Sequence, residues 1–424
     1  MTALVRGDAR RIPLADESVD LIVTSPPYWS LRSYTDGGEH YDGQIGSEPT
    51  AQEFLETLWA VTAECWRVLK PTGSMWVNLG DKRSGSGAPG TTSGLTGRRS
   101  SGRPIPGQAR VQGSRAGKRS YEQTGFGRPK SKMLLPHRYA IGCEDGQADP
   151  DGLGWIVRQD QVWSKPNGLP EPVTDRTRDT HEFWFHLTKL GDYFAAGDEI
   201  REPHTGGTHA RRSDGAPPGK EQRAMETGVR NAGGYFGETQ FNPLGRVPGS
   251  VRSVQSEAVR VPAHLEVEHF AAFPQEWPRW IIMGWSPTGW CTSCGSARTP
   301  VVEVDHETYR DAPSTGRPHS QDLSRSTGGG WNKPGYQQTS IRSTITGYGC
   351  ECADASAPTR PAVVLDPFAG TGTTVMVARA LGRVGIGLDL SNDYLRLARW
   401  RIFESRHAAK TIERTNRERQ GVLL

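Results

Sequence analysis

The chain of 424 residues is long enough for one large α/β core with insertions, or for two moderate domains. Only 34% of it is hydrophobic, and 51 glycines with 30 prolines point to an ordered core broken by long loops. No apolar run approaches the roughly 18 residues that cross a bilayer, and the opening MTALVRGDARRIPL lacks the apolar stretch of a secretory signal. The expectation is a soluble, cytoplasmic protein with no membrane partner. The formal charge of +4 is unevenly spread. Between Asp81 and Arg138, thirteen Lys or Arg stand against two acidic residues, which suits contact with a polyanion or, more plainly, a solvated basic loop.

In chain order, residues 18–23 form a short apolar run that reads as a strand. It stops at Thr24-Ser25-Pro26-Pro27-Tyr28-Trp29, because consecutive prolines cannot continue a central ladder. Residues 50–69 put Phe54, Leu55, Leu58, Val61, Cys65, Trp66 and Leu69 on one helical face. Pro71-Thr72-Gly73 then predicts a turn into a second strand over 74–79, completing a βαβ unit within residues 1–81. Residues 82–132 lose all periodicity and predict a mobile basic loop. Order resumes over 133–203. A polar, low-complexity stretch covers 204–262, apolar patterning returns over 263–290, and a small insert with paired cysteines spans 291–352. The final segment, 353–424, predicts a strand over 362–365, a helix over 373–381, a strand over 384–390 and a charged helical end.

Within that last segment, Asp366-Pro367-Phe368-Ala369-Gly370-Thr371-Gly372-Thr373-Thr374 is a glycine turn between a strand and a helix. Gly370 and Gly372 are expected to let the backbone approach a ligand closely, and Thr373 or Thr374 to cap the helix. Asp389 follows about 20 residues later at a strand end, placed to accept hydrogen bonds from ribose hydroxyls. A dinucleotide is the alternative ligand, but the third glycine position of that motif is Val375, and Asp366 suits a cationic amino-acid group better than a pyrophosphate.

Ser25-Pro26-Pro27-Tyr28 is the sharpest signal. An exocyclic amino nitrogen on a base is a poor nucleophile because its lone pair is delocalised into the ring. Two acceptors facing its hydrogens, Ser25 Oγ and the Pro26 carbonyl, would push it towards tetrahedral geometry. Pro27 stiffens the turn before substrate arrives, and Tyr28 offers a face for a base taken out of the stack.

These motifs resemble those of bacterial and phage DNA amino-methyltransferases, in the beta order where the catalytic motif precedes the cofactor motif. Asn78-Leu79-Gly80-Asp81, the run Arg158 to Asn167 with Trp163-Ser164-Lys165-Pro166-Asn167, and Val173-Thr174-Asp175-Arg176 with His181-Glu182 resemble further segments of that family. The resemblance implies an α/β fold: a Rossmann-like S-adenosylmethionine-dependent methyltransferase sheet, circularly permuted, with an inserted recognition region and a small zinc-binding insert. It implies that Ser25, Pro26, Pro27 and Tyr28 hold the target base, and that Asp8, Asp366, Pro367, Phe368, Gly370, Gly372, Thr373 and Asp389 hold S-adenosylmethionine. Phe273 and Pro274 resemble the segment that closes over the methionine end of the cofactor. Ser25 at the first catalytic position favours cytosine N4 over adenine N6. Double-stranded DNA is the implied substrate, and a cognate restriction endonuclease an implied partner. The competing readings are protein glutamine or RNA as acceptor, and a catalytically inactive zinc-containing DNA-binding protein.

Cys291-Thr292-Ser293-Cys294-Gly295 and Cys350-Glu351-Cys352 supply two close cysteine pairs. Four thiolates so grouped suit a structural tetrahedral zinc, and a closed set leaves no position for catalysis. Residues 204–262 hold Arg211, Arg212, Arg223, Arg230, Arg246 and Arg252, which suit phosphate or guanine contacts in a target-recognition region.

Overall fold

The computed structural model describes residues 2–30, 35–36, 39–40, 43–84, 130–149, 151–168, 170–171, 173–203, 244–259, 261–265, 267, 272–310, 337–350, 352, 357–404 and 411. Most of the basic loop and of the proposed recognition region, including Arg211, Arg212, Arg223 and Arg230, lies outside them. Two compact units are present: Met1–Ala196 with Gly249–Arg298 and Cys350–Leu424, and Gly197–Pro248 with Thr299–Gly349.

The strands are β1 (Thr2–Arg6), β2 (Val19–Thr24), β3 (Thr35–Asp36), β4 (Glu39–His40), β5 (Leu69–Leu79), β6 (Ile156–Ser164) and β7 (His181–Thr188). They continue with β8 (Val251–Ser253), β9 (Trp290–Cys291), β10 (Thr299–Arg310), β11 (Gln337–Gly349), β12 (Thr359–Arg360), β13 (Val363–Asp366) and β14 (Val384–Asp389). The α-helices among the described residues are α1 (Ala51–Val68), α2 (Leu135–Glu144), α3 (Glu276–Trp285), α4 (Thr373–Ala380) and α5 (Asn392–Arg399). None is long and apolar enough to cross a membrane.

The first unit is built on an eight-stranded sheet in the order β1-β14-β13-β2-β5-β7-β6-β8. Its first five strands are parallel; β7 runs antiparallel to β5 and β6, and β8 is parallel to β6. The sheet is therefore mixed and mostly parallel. β2 lies in its middle, and every one of its six residues is buried, as a strand covered on both faces must be. The second unit contains the long antiparallel pair β10–β11.

Helix α1 forms where the apolar spacing predicts it. Thr50 caps it, its Oγ1 accepting from the Glu53 amide at 3.2 Å, and Phe54, Leu55, Leu58, Val61 and Cys65 are buried on its inner face. Each such apolar side chain contributes about 1.5–3 kcal/mol by leaving water. One expectation is corrected: Pro71-Thr72-Gly73 does not separate helix from strand, because β5 starts at Leu69 directly after α1. The shift in register between Val19↔Leu69 and Leu21↔Ser74 absorbs the irregular residues within the strand. On α3, Trp277 and Trp280 join Trp76, Trp184 and His186 in an aromatic cluster. His186 stacks on Trp76 at 4.5 Å, and burial pulls its pKa down to about 3, so the ring is neutral there.

Candidate active site

A cavity of about 300 Å³ opens in the first unit, lined by Ser25, Pro26, Pro27 and Tyr28 from the end of β2 and by Pro367, Phe368, Ala369, Gly370, Thr371 and Thr373 beyond β13. These two stretches are more than 300 residues apart in the chain, yet β2 and β13 are parallel neighbours, with Leu21 opposite Val364 and Ile22 opposite Leu365. Ligand clefts of open α/β sheets lie at such carboxyl ends. Thr24 Oγ1 donates to Asp366 Oδ1 at 2.7 Å and ties the two turns together.

At the first turn, Ser25 Oγ donates to Asn78 Oδ1 at 3.2 Å, and Tyr28 Oη lies 2.9 Å from the same oxygen. Asn78, at the end of β5, is oriented by donating its Nδ2 hydrogen to the Phe183 carbonyl at 3.0 Å. Tyr28 Oη also lies 2.9 Å from Glu182 Oε2, and Glu182 pairs with Lys165 through its other oxygen. Gly80 leaves room for the Tyr28 ring, since a Cβ there would come within 2.6 Å of Tyr28 Cε2. Asn78, Lys165 and Glu182 all line the cavity. The sequence placed them in segments of interest without a role; only the fold brings them onto Ser25 and Tyr28.

At the second turn, Asp389 Oδ2 accepts the Gly370 amide at 2.8 Å and Oδ1 accepts the Ser391 amide at 2.9 Å. Burial pushes the Asp389 carboxyl up to about 6, against those amide hydrogen bonds. Asp366 is buried beneath the turn: Oδ1 accepts from Thr24 and from the Phe368 amide, while Oδ2 has no hydrogen-bond partner. Burial pushes this carboxyl, too, up to about 6. Asp366 and Gly372 lie behind the cavity wall and not in it.

One expectation about this turn is corrected. Neither Thr373 nor Thr374 caps α4; the preceding residue is Gly372 in the left-handed region at φ 75°, and Thr374 Oγ1 donates to the Val23 carbonyl instead. Gly372 is required by packing, because a Cβ would meet Ala398 Cβ at 2.9 Å and Ile402 Cδ1 at 3.0 Å. Arg401, which the sequence did not single out, donates to the Thr371 carbonyl at 2.7 Å and to Thr373 Oγ1 at 3.0 Å, clamping the turn from behind. Burial pulls its pKa down to about 10, which leaves it charged at neutral pH.

Asp8 lines the cavity, paired with Arg10 at 2.7 Å; that hydrogen-bonded guanidinium holds its carboxyl below the usual range. Phe273 also lines it, whereas Pro274 does not. Arg252 pairs with Glu276 at 2.8 Å and Arg246 with Glu202 at 2.9 Å. The four paired cysteines come together away from the cavity lining, their sulfurs all within 4.8 Å of one another.

Among known proteins, the chain is 40% identical over 211 residues to the Type II methyltransferase M.XycI of Xanthomonas campestris pv. cyanopsidis, covering 49% of this chain and 60% of that one. It is 38% identical over 215 residues to M.Cfr9I of Citrobacter freundii, covering 50% and 62%. The chain thus spans about three fifths of the length of these relatives. Among solved structures it is similar to the PvuII DNA methyltransferase (cytosine-N4-specific), at 14% identity and a TM-score of 0.48 over 99% of this chain and 94% of that one. The DNA methylase family matches residues 19–290 and 356–399, which include both turns of the cavity. By that match the chain belongs to the N6/N4 DNA methylase family.

Proposed function

We propose that the protein transfers a methyl group from S-adenosylmethionine to the exocyclic amino group of a flipped base in double-stranded DNA, with cytosine N4 as the target in preference to adenine N6. The observation that carries this reading is the shared cavity: the Ser-Pro-Pro-Tyr turn and the glycine turn face one space from adjacent parallel strands. In the chain the first precedes the second, which we read as circular permutation of a methyltransferase sheet.

The lining fits a cationic cofactor. Asp8, Glu182, Glu257 and Asp389 stand in it against Lys165. Each Asp389 oxygen keeps a lone pair after accepting its backbone amide, enough to receive a ribose hydroxyl. Pro367, Phe368, Gly370 and Thr373 form the wall beside it, with Asp366 and Gly372 fixing the turn from beneath. When bound, S-adenosylmethionine supplies an electrophilic methyl group on a sulfonium.

Ser25 gives its own hydrogen to Asn78 Oδ1, which leaves its oxygen lone pairs for a base amino hydrogen. The Pro26 carbonyl accepts the second. Both hydrogens so engaged, the nitrogen lone pair is localised towards the methyl group, and the acceptors need no rearrangement to do it. Tyr28 is held at its hydroxyl by Asn78 and Glu182 and offers its ring to the base. The preference for cytosine rests on Ser25 at the first catalytic position. Similarity to Type II methyltransferases supports a restriction endonuclease as a biological partner. The parts of residues 82–132 and 204–262 rich in Lys and Arg are the segments we assign to gripping DNA.

The test is Ser25→Ala, assayed for cofactor binding and for transfer of labelled methyl to DNA. The expected result is unchanged cofactor affinity with activity lower by about 10²-fold or more. Full retention of activity would remove Ser25 from the reaction.

A further inference from the structure

We infer that Cys291, Cys294, Cys350 and Cys352 bind one structural zinc ion, which joins the two stretches of chain that precede and follow the β10–β11 hairpin. The four sulfurs lie within 4.8 Å of one another, and Cys291 Sγ is 3.7 Å from Cys352 Sγ. A tetrahedron of thiolates at a Zn–S distance of about 2.3 Å has edges of about 3.8 Å, so these sulfurs are spaced as vertices round a common centre. A disulfide requires sulfurs at about 2.05 Å, and all six cysteines of the chain are free.

The surrounding backbone is shaped for thiolates. Gly295 adopts φ 76°, and its amide donates to the Cys291 carbonyl at 3.0 Å, closing a tight knuckle. No position is left open for water or substrate, which makes the site structural.

Its placement says what it holds. Cys294 lies five residues before β10 and Cys350 directly follows β11, so the ligands bracket the hairpin in the chain. Outside this bracket β9 pairs with β12, Cys291 opposite Thr359. The residue before Cys291 is Trp290, whose Nε1 donates at 2.8 Å to Asp20 Oδ1, on β2 five residues before Ser25. Asp20 also accepts from Lys70 at 2.5 Å and from the Val363 amide at 2.7 Å. The knuckle is therefore continuous with β2 and β13, the two strands that end at the cavity.

The experiment is metal analysis of the full-length protein purified without chelator, with parallel Cys294→Ser and Cys350→Ser variants and a Cys65→Ser/Cys143→Ser control. The expected result is one zinc per chain in the unaltered protein and the control, and about tenfold less or lower in the ligand variants. Protein stripped of metal and refilled with Co²⁺ is expected to show the intense thiolate-to-cobalt charge-transfer bands of a tetrahedral site. Because this is read on the unaltered chain, it stands even where a variant fails to fold. Purified protein without zinc, disulfides within either pair, iron in its place, or a cobalt form lacking thiolate bands would each overturn the assignment.

Discussion

Thr24 Oγ1 and Asp366 Oδ1, 342 residues apart in the chain, meet at 2.7 Å inside the core. The hydroxyl closes the strand before Ser25, and the carboxylate opens the glycine turn, so this one hydrogen bond sets the two halves of the cavity in register. Removing a donor to a buried carboxylate costs about 1–3 kcal/mol.

Thr24→Val keeps the shape and removes the donor. The expected outcome is roughly a tenfold loss of S-adenosylmethionine affinity by isothermal titration, at about 1.4 kcal/mol per factor of ten, while Thr24→Ser retains binding. Equal affinity for all three proteins would show that the bond does not align the site.

Asp366 and Asp389 both sit at about 6, raised from 3.8 by burial. The ligand-free fold thus binds protons more readily than the unfolded chain. The stability these two groups add is complete below pH about 4 and is lost as pH rises through about 6. Cofactor binding follows the opposite trend, because a cation prefers the ionised carboxylates. Affinity for S-adenosylmethionine should rise as pH passes through 6, by up to roughly tenfold per unit below it, and level off above 7. Asp389→Asn should flatten the profile. A profile equally steep in that variant would assign the dependence to other groups.

The two glycines of the turn separate by mechanism. At Gly370, a Cβ would find nothing closer than the Phe368 carbonyl at 3.8 Å, so Gly370→Ala costs chiefly the left-handed backbone, about 1–2 kcal/mol. At Gly372 the same penalty is joined by overpacking against Ala398 and Ile402, about 1–3 kcal/mol more. Urea denaturation should place Gly372→Ala well below Gly370→Ala in midpoint, whereas cofactor titration should penalise Gly370→Ala, whose site lines the cavity. Equal midpoints would contradict the packing role of Gly372.

What could be read from sequence was what local rules govern. The apolar face of α1, the strand stopped by Pro26-Pro27 and the βαβ order around Gly370 depend on spacing and on proline and glycine stereochemistry, and they stand where those rules put them. What could not be read depends on contacts across the sheet. The bond from Ser25 to Asn78 and the pairing of Lys165 with Glu182 join segments that the strand order makes neighbours, and the clamp from Arg401 joins the turn after α5 to the loop before α4. Gly372 shows the same limit: its residue type was legible, but its reason, the approach of Ala398 on α5, was not. Thr374 had the composition of a cap and was taken by the Val23 carbonyl.

The most direct test of the account is nucleoside mass spectrometry of plasmid DNA of mixed sequence, incubated with the protein and S-adenosylmethionine. The account predicts N4-methylcytosine, formed with the unaltered chain and lost with Ser25→Ala. N6-methyladenine would overturn the choice of base, and unmodified DNA from a protein that binds the cofactor would contradict methyl transfer at this cavity.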